Sequence, residues 1–334
     1  MAERISAQSQ PAGTQWTTKR FHVKHSTNLR TIETAPESGD FHETPLAREL
    51  TVNNRRLRDI DSQPIQRPQR TRIFTISNQK GGVGKTTTAV NLAAALAQKG
   101  LKILVIDLDP QGNASTALGI NHHAGTAGIY EVLIDGISLA SVVQASPEMP
   151  NLFCVPATID LAGAEMELFS MFDSTQRNLR LRQAIEHYLV EQPDRPDYIF
   201  IDCPPSLGLL TVNAFAAARE VLIPIQCEYY ALEGLSQLLK NIDLIQRQLN
   251  PNLKLSTILL TMYDSRTRLA SQVADDVREH FPRETLNAVI PRSVRVSEAP
   301  SYQQSVISYD KSSPGSIAYM EAAIELANKG ANNG

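Results

Sequence analysis

A chain of 334 residues with a formal net charge of −3 has room for one large α/β domain plus an extension, or for two modest domains. No apolar run approaches the roughly 20 residues of a membrane helix, and the N-terminal MAERISAQSQPAGTQ lacks the apolar core of a secretory signal, so a cytoplasmic protein is expected. The mild acidity means that any nucleic-acid surface has to be a local basic patch, and the isolated Cys154, Cys203 and Cys227 read as reduced thiols rather than as a disulfide or zinc framework.

Residues 1–69 are rich in Arg, Thr, Ser, Gln, Asn and Pro and show no sustained hydrophobic period. Such a segment buries too little apolar area to offset its ordering entropy, so it is expected to be a disordered extension and linker, with room for a short helix around Thr44 to Leu50. From residue 70 to about 330 the pattern becomes short apolar runs alternating with longer amphipathic ones. Strands are expected at Ile73–Ser77, Ile103–Asp107, Leu152–Pro156, Tyr198–Asp202, Val221–Pro224 and Leu255–Leu260. Helices are expected at Thr86–Lys99, Gln176–Val190, Leu207–Ala217, Ala231–Leu249, Ala270–Phe281 and Ser316–Ala327. Near-continuous apolar strands separated by helices imply an α/β fold, a mostly parallel twisted sheet with helices on both faces. Ligands of such sheets bind at the carboxyl ends of the strands.

Three motifs fall at such ends. Ser77–Asn78–Gln79–Lys80–Gly81–Gly82–Val83–Gly84–Lys85–Thr86–Thr87–Thr88 joins the first strand to the first long helix. Its glycines allow backbone N–H groups from Gly81 to Thr87 to turn inward around phosphate oxygens at the positive end of a helix. Lys85 is placed to contact the β- and γ-phosphates, and the Thr86 hydroxyl to bind Mg²⁺. Gln79 stands where the usual first glycine would be, and a second lysine, Lys80, precedes Gly81. The second motif, Asp107–Leu108–Asp109–Pro110–Gln111–Gly112–Asn113, puts two aspartates at a strand end; an Asx turn is the plain alternative. The third, Tyr198–Ile199–Phe200–Ile201–Asp202–Cys203–Pro204–Pro205, ends an apolar strand in one carboxylate. Asp202 suits a Mg²⁺ ion held through water, since Mg²⁺ gives up its hydration reluctantly. No N-K-x-D guanine-reading motif follows a late strand.

The pattern K-G-G-x-G-K-[ST] resembles that of the deviant Walker A ATPases, over about Arg72 to Asn328. The resemblance implies the deviant P-loop NTPase fold with ATP and Mg²⁺ as cofactors, an ATP-dependent homodimer, and a Lys80 that reaches across the dimer to the partner's nucleotide, as an arginine finger does. DLDPQGN is similar to the switch I segment of ParA proteins, which implies that Asp109 positions the attacking water and that Asp107 lies in the metal shell. Within that superfamily, the three cysteines do not match the cluster ligands of nitrogenase-iron-protein relatives. The last expected helix, YMEAAIELA, is acidic and lacks the basic amphipathic character of the MinD membrane anchor. Ile290–Pro291–Arg292–Ser293–Val294–Arg295–Val296–Ser297–Glu298–Ala299–Pro300–Ser301 and Met262–Tyr263–Asp264–Ser265–Arg266–Thr267–Arg268 both resemble segments of chromosomal, Soj-like ParA proteins.

The resemblance therefore implies a DNA-segregating ATPase that moves chromosomal or plasmid DNA. Its ATP dimer would bind nucleoid DNA without sequence preference, and a ParB-type centromere-binding partner would stimulate hydrolysis. Arg266, Arg268, Arg292 and Arg295 are the candidate phosphate contacts; the competing expectation is that some of them pair with Asp264, Glu298 or main-chain carbonyls. A MinD-like positioning ATPase acting on a protein cargo at the membrane is the alternative function. Phe21–His22–Val23–Lys24–His25 can also be encoded so that the gene reads GTTTCACGTGAAAC, the palindrome ParB proteins recognise, so the gene is expected to carry its own centromere site.

Overall fold

The computed structural model describes residues 44–331 apart from Phe172, Tyr229 and Tyr230; Phe21–His25 lies outside the described residues. Eight strands are found among them: β1 Arg72–Ile76, β2 Ile103–Asp107, β3 Gln144–Ala145, β4 Leu152–Val155, β5 Tyr198–Asp202, β6 Glu220–Gln226, β7 Lys254–Tyr263 and β8 Thr285–Pro291. They form one sheet in the order β3-β4-β2-β5-β1-β6-β7-β8. Every pairing is parallel except that of the short β3 with β4.

Alternate residues of each central strand feed opposite faces, which is why these strands read as unbroken apolar runs. Ile73, Leu104, Ile106, Ile199 and Ile201 pack on one side with Leu181, Ile185, Phe215 and Leu238. Those partners come from the helices Ser174–Glu191, Leu209–Ala217 and Ala231–Gln248. Phe74, Ile76, Ile103, Val105, Tyr198 and Phe200 pack on the other side with Leu92, Leu96, Ile317 and Leu326, from the helices Lys85–Gln98 and Pro314–Ala331. The expected α/β sheet covered on both faces is therefore the fold, and all six expected strands and helices form within a few residues of their expected bounds.

Two features depart from the sequence reading. The edge strand β8 was not expected, because Asn287 and Pro291 break its apolar run and only part of it is buried. Edge strands tolerate such residues, since one side of the ladder is unpaired. The second concerns the short helix for which the sequence left room around Thr44 to Leu50, which runs on to Ser62. Pro45–Ser62 is an 18-residue helix, α1, capped by Thr44, whose side chain accepts from Ala47 N at 3.3 Å. Asn53 and Ile60 are buried on it, with Arg56 and Leu57 half-buried between them, a helical stripe too sparse in apolar residues to announce itself.

Tertiary contacts supply what propensity does not. Arg56 donates twice to Glu321 on the helix Pro314–Ala331, at 2.8 and 2.6 Å. Lys99 Nζ donates to the carbonyls of Ile60, Asp61 and Gln63, placing a cation where the helix dipole is negative. A chain starting at Gln69 should keep its fold and its hydrolysis. It should lose about 2 kcal/mol with the burial of Ile60, and about 4–8 °C in Tm. Scanning calorimetry checks this, and an unchanged midpoint would show that α1 adds nothing to the stability of the sheet.

Candidate nucleotide-binding site

The register of the central strands sets the site. Asp107 at the end of β2 is the lateral partner of Asp202 at the end of β5, and Asp202 is in turn level with Ile76 at the end of β1. Two carboxylates and the start of the glycine-rich loop thus share one level at the carboxyl edge of three adjacent strands. Gly82 and Gly84 adopt φ values of 74° and 88°, in the left-handed region that a side chain would strain. Gly84 ends the loop as the N-cap of the helix Lys85–Gln98, α2. Buried Val83 anchors the loop from below, and its carbonyl accepts a 2.8 Å bond from Thr261 Oγ1 on β7. Asn78 ties the loop's start to β6 through Pro224 O at 2.9 Å and accepts from Lys80 N at 3.0 Å.

Lys85 is 8% exposed, and its only polar partner among the described residues is Lys80 O at 3.5 Å. Burial lowers its pKa, and the carboxylates of Asp202 and Asp109 act against that shift. Asp202 is fully buried, and neither of its carboxylate oxygens has a hydrogen-bond partner of good geometry. Burial, with Asp107 alongside, pushes its pKa well above the carboxylate range; Thr86 and Lys85 draw it back. An orphaned buried carboxylate beside a hydroxyl and a lysine fits a Mg²⁺ ion that keeps most of its water and takes its remaining ligands from phosphate.

Asp107 has a different employment. Its Oδ2 accepts from Ser115 N at 2.8 Å and Ser115 Oγ at 2.7 Å, and its Oδ1 from Asp109 N at 3.2 Å. Burial raises its pKa to about 6 against these three bonds. The carboxylate therefore holds the backbone of the Asp109 loop and the start of the short helix Asn113–Ala117, α3. Asp109 itself is half-buried, and its Oδ1 accepts from Gln111 N at 3.0 Å, the Asx turn that Asp-Pro favours. The second oxygen is left for other work. Ser115 is a site residue that sequence reasoning missed, and nothing in its local sequence marks it.

Lys80 lies at the exposed lip of the loop, in an ion pair with Glu228 just past β6. Glu228 was not singled out from the sequence either. Cys203 is fully buried, and burial beside Asp202 raises its thiol pKa well above the usual value, so it is inert packing.

The four candidate arginines lie beside one another at the same edge. Tyr263 of β7 pairs with Pro291 of β8, and Arg292 N donates to Tyr263 O at 3.2 Å, which brings the two arginine segments together. Arg266 forks onto Asp264 at 2.9 and 2.8 Å. Arg295 bonds Glu298 at 3.2 Å and lies 3.4 Å from Asp310. Arg268 and Arg292 are exposed and have no ion pair among the described residues.

A parallel sheet with a glycine loop opening a helix, a lysine turned into that loop and an orphaned aspartate on the neighbouring strand define a P-loop ATPase. A family model described as an AAA domain matches residues 71–255. The chromosome partitioning protein ParA of Myxococcus xanthus (strain DK1622) is 51% identical over 255 residues, 76% of this chain and 87% of that one. The sporulation initiation inhibitor protein Soj of Bacillus subtilis (strain 168) is 49% identical over 259 residues, 78% and 99% of the two chains. Among solved structures, cobyrinic acid a,c-diamide synthase of Mycobacterium smegmatis with bound ATP analog and magnesium is similar at a TM-score of 0.64 and 36% identity, over 76% and 93% of the chains. The chain belongs to the ParA/Soj family of partitioning ATPases, whose cofactors are ATP and Mg²⁺.

Proposed function

We propose that this chain is an ATP-driven switch that partitions replicated chromosome or plasmid origins on the nucleoid. The observation that supports it most is the level placement of Asp107, Asp202 and the glycine loop, with Lys80 at the loop's exposed lip. In this reading the N–H groups of Gly81 to Thr87 cradle the phosphates, and Lys85 compensates the β- and γ-phosphate charge. Thr86 and Asp202 hold Mg²⁺, Asp202 through water, and Asp107 supports that shell while fixing the Asp109 loop. Mg²⁺, when bound, neutralises charge that develops on the phosphoryl oxygens. Asp109 orients the attacking water with its free oxygen. Phosphoryl transfer is mostly positioning and charge stabilisation, so a carboxylate need not be a strong base there.

Lys80 leaves Glu228 when a second copy closes over the loop and then serves the partner's nucleotide. Hydrolysis is thereby linked to dimerisation. The ATP dimer displays Arg266, Arg268, Arg292 and Arg295 to double-stranded DNA, and a ParB-type protein stimulates hydrolysis and release. Arg268 and Arg292 carry most of the contact, because Arg266 and Arg295 already answer carboxylates. Arg292→Ala should weaken binding to every DNA sequence about equally, only in the ATP state, and reduce the log–log salt slope by about 1. Arg266→Ala should change it less. Fluorescence anisotropy with unrelated duplexes at several salt concentrations decides; full retention by Arg268→Ala and Arg292→Ala would exclude this rim.

The alternative, a MinD-like ATPase anchored to membrane, has a solved neighbour in the septum site-determining protein MinD of Pyrococcus horikoshii OT3, complexed with Mg-ADP (TM-score 0.59, 25% identity). Against it, the apolar face of the helix Pro314–Ala331 is spent in the core, with Ile317, Tyr319 and Leu326 buried. Among the described residues no helix is long and apolar enough to cross a membrane. Co-sedimentation with plasmid DNA and with anionic liposomes, each with ATP, separates the two readings: retention by liposomes alone would favour the membrane.

A further inference from the structure

The end of the sheet opposite the nucleotide site carries a charged cleft and an apolar recess side by side. Three adjacent strands, β1, β6 and β7, begin there beside exposed cations: Arg70 two residues before β1, Arg219 immediately before β6, and Lys254 as the first residue of β7. The backbone fixes their relative position, since Arg219 N donates to Ile73 O at 3.1 Å and Lys254 N to Arg219 O at 3.0 Å. Arg195 pins the Arg70 segment, donating to Pro68 O and Gln69 O at 3.1 and 2.7 Å. All three cations line a cleft of about 850 Å³. Arg70 and Arg219 also line a neighbouring recess of about 250 Å³, whose apolar wall includes Ile73, Ile185, Leu189 and Ala217.

Among the residues lining the cleft and the recess, Glu186 and Glu220 are the only acids, and both are already paired. Glu220 takes a bidentate bond from Arg72 at 2.8 and 2.7 Å, and Glu186 accepts from Arg182 at 2.9 Å. Just beyond the lining, Asp197 accepts from Lys102 N at 2.9 Å and faces Arg67 at 3.8 Å. Arg70, Arg219 and Lys254 have no side-chain hydrogen bond or ion pair among the described residues. Unanswered cations around an apolar recess make a local field opposite in sign to the net charge of the chain.

We propose that this end of the sheet is a docking surface for an acidic segment of another protein, which sets an apolar side chain in the recess and carboxylates against Arg70, Arg219 and Lys254. Charge complementarity selects the sign of the partner, and the recess selects its class. A duplex presents phosphates and has no side chain to bury there, whereas an acidic peptide carries both kinds of group. The ATP-gated reading above, on which the exclusion of DNA also rests, points the same way. No residue of the glycine loop, the Asp109 loop or the arginine rim lines either cavity, so the surface is the same before and after hydrolysis. DNA held here would stay bound when the nucleotide is spent. A protein held here leaves the nucleotide face and the rim free, and docks to monomer and dimer alike. Spacing fits as well. Three neighbouring strands span about 10 Å, and an extended segment sets alternate side chains about 7 Å apart, so two or three carboxylates meet the three cations.

The test uses the full chain and a fluorescent oligo-glutamate carrying one central leucine, read by anisotropy with ADP and with ATP. Wild-type protein should bind this probe equally in both nucleotide states, and more weakly as salt rises. The combined variant Arg70→Ala, Arg219→Ala, Lys254→Ala should bind it about tenfold more weakly, each exposed ionic contact contributing a few-fold. Replacing the leucine of the probe by alanine should cost about as much, through lost burial. ATP hydrolysis and ATP-dependent retention of duplex DNA should be unchanged in the triple variant, and circular dichroism and the thermal midpoint verify that it folds. A wild-type protein that does not bind the probe, equal affinity in the triple variant, or equal affinity for the leucine-free probe overturns the inference and leaves the DNA-segregation reading standing. Loss of ATP-dependent DNA retention in the triple variant would make these cations part of the DNA surface and overturn it too. With ADP, tighter binding of duplex than of probe of equal charge, lost in the triple variant, makes the occupant DNA; the inference then falls, and the ATP-gated reading falls with it.

Discussion

Replacing Asp109 by alanine should leave ATP affinity nearly unchanged while hydrolysis falls by about 10²- to 10⁴-fold, the usual range for losing a positioned carboxylate at the reacting atom. The Asp109 Oδ1 is engaged with Gln111 N and its backbone is held by Asp107, so the side chain has one oxygen to spare and a fixed place to present it. Binding should persist because the proposed phosphate grip, the loop and Lys85, makes no hydrogen bond with Asp109 among the described residues. The variant should accumulate as an ATP-bound dimer retained on DNA. Size-exclusion chromatography with ATP reads the dimer, and single-turnover phosphate release reads the chemistry. Turnover at the wild-type rate would assign the water to another residue, and a collapse of ATP affinity would show that the loop itself had been disturbed.

Lys85→Ala should have the larger effect on binding, at least about 100-fold in Kd, corresponding to roughly 3 kcal/mol for one charge-assisted contact in a shielded site. Lys85 is the only cation buried at the loop, and it faces the carboxylates of Asp202 and Asp109. Removing it leaves the fully buried Asp107 and Asp202 and the incoming phosphates with no buried cation at the loop. Lys80→Ala should behave differently, with monomer affinity near wild type and loss of ATP-dependent dimerisation, because Lys80 sits exposed and pairs with Glu228. Isothermal titration calorimetry distinguishes the two. Equal Kd for wild type and Lys85→Ala would overturn the phosphate-loop assignment.

The glycine loop, the strand-end carboxylates and the alternation of apolar strands with amphipathic helices were legible in the chain. Each is local: a left-handed glycine, a strand period and a residue at a strand end depend on neighbours within a few positions. The extension of α1 to Ser62 and its docking were not legible, because they rest on Arg56 reaching Glu321, 265 residues away, and on Lys99 closing the helix end. The same holds for the employment of the arginines. Sequence placed Arg266, Arg268, Arg292 and Arg295 in two basic segments. Only the pairing of β7 with β8 put them on one rim, and only the folded carboxylates separated the two ion-paired arginines from the two that have no ion pair among the described residues.

Asp107 makes the division clearest. Its position as the last residue of β2 put it beside the glycine loop. Whether its oxygens face a metal or a backbone depended on Ser115, eight residues on and delivered by the turn into α3. The sequence by itself determined which chemistry the carboxyl edge of this sheet can perform, since a loop's conformational freedom and a residue's charge are properties of the chain. The tertiary structure decided which of those charges remain available, because a charge is spent or free only according to what folding brings within hydrogen-bonding distance of it.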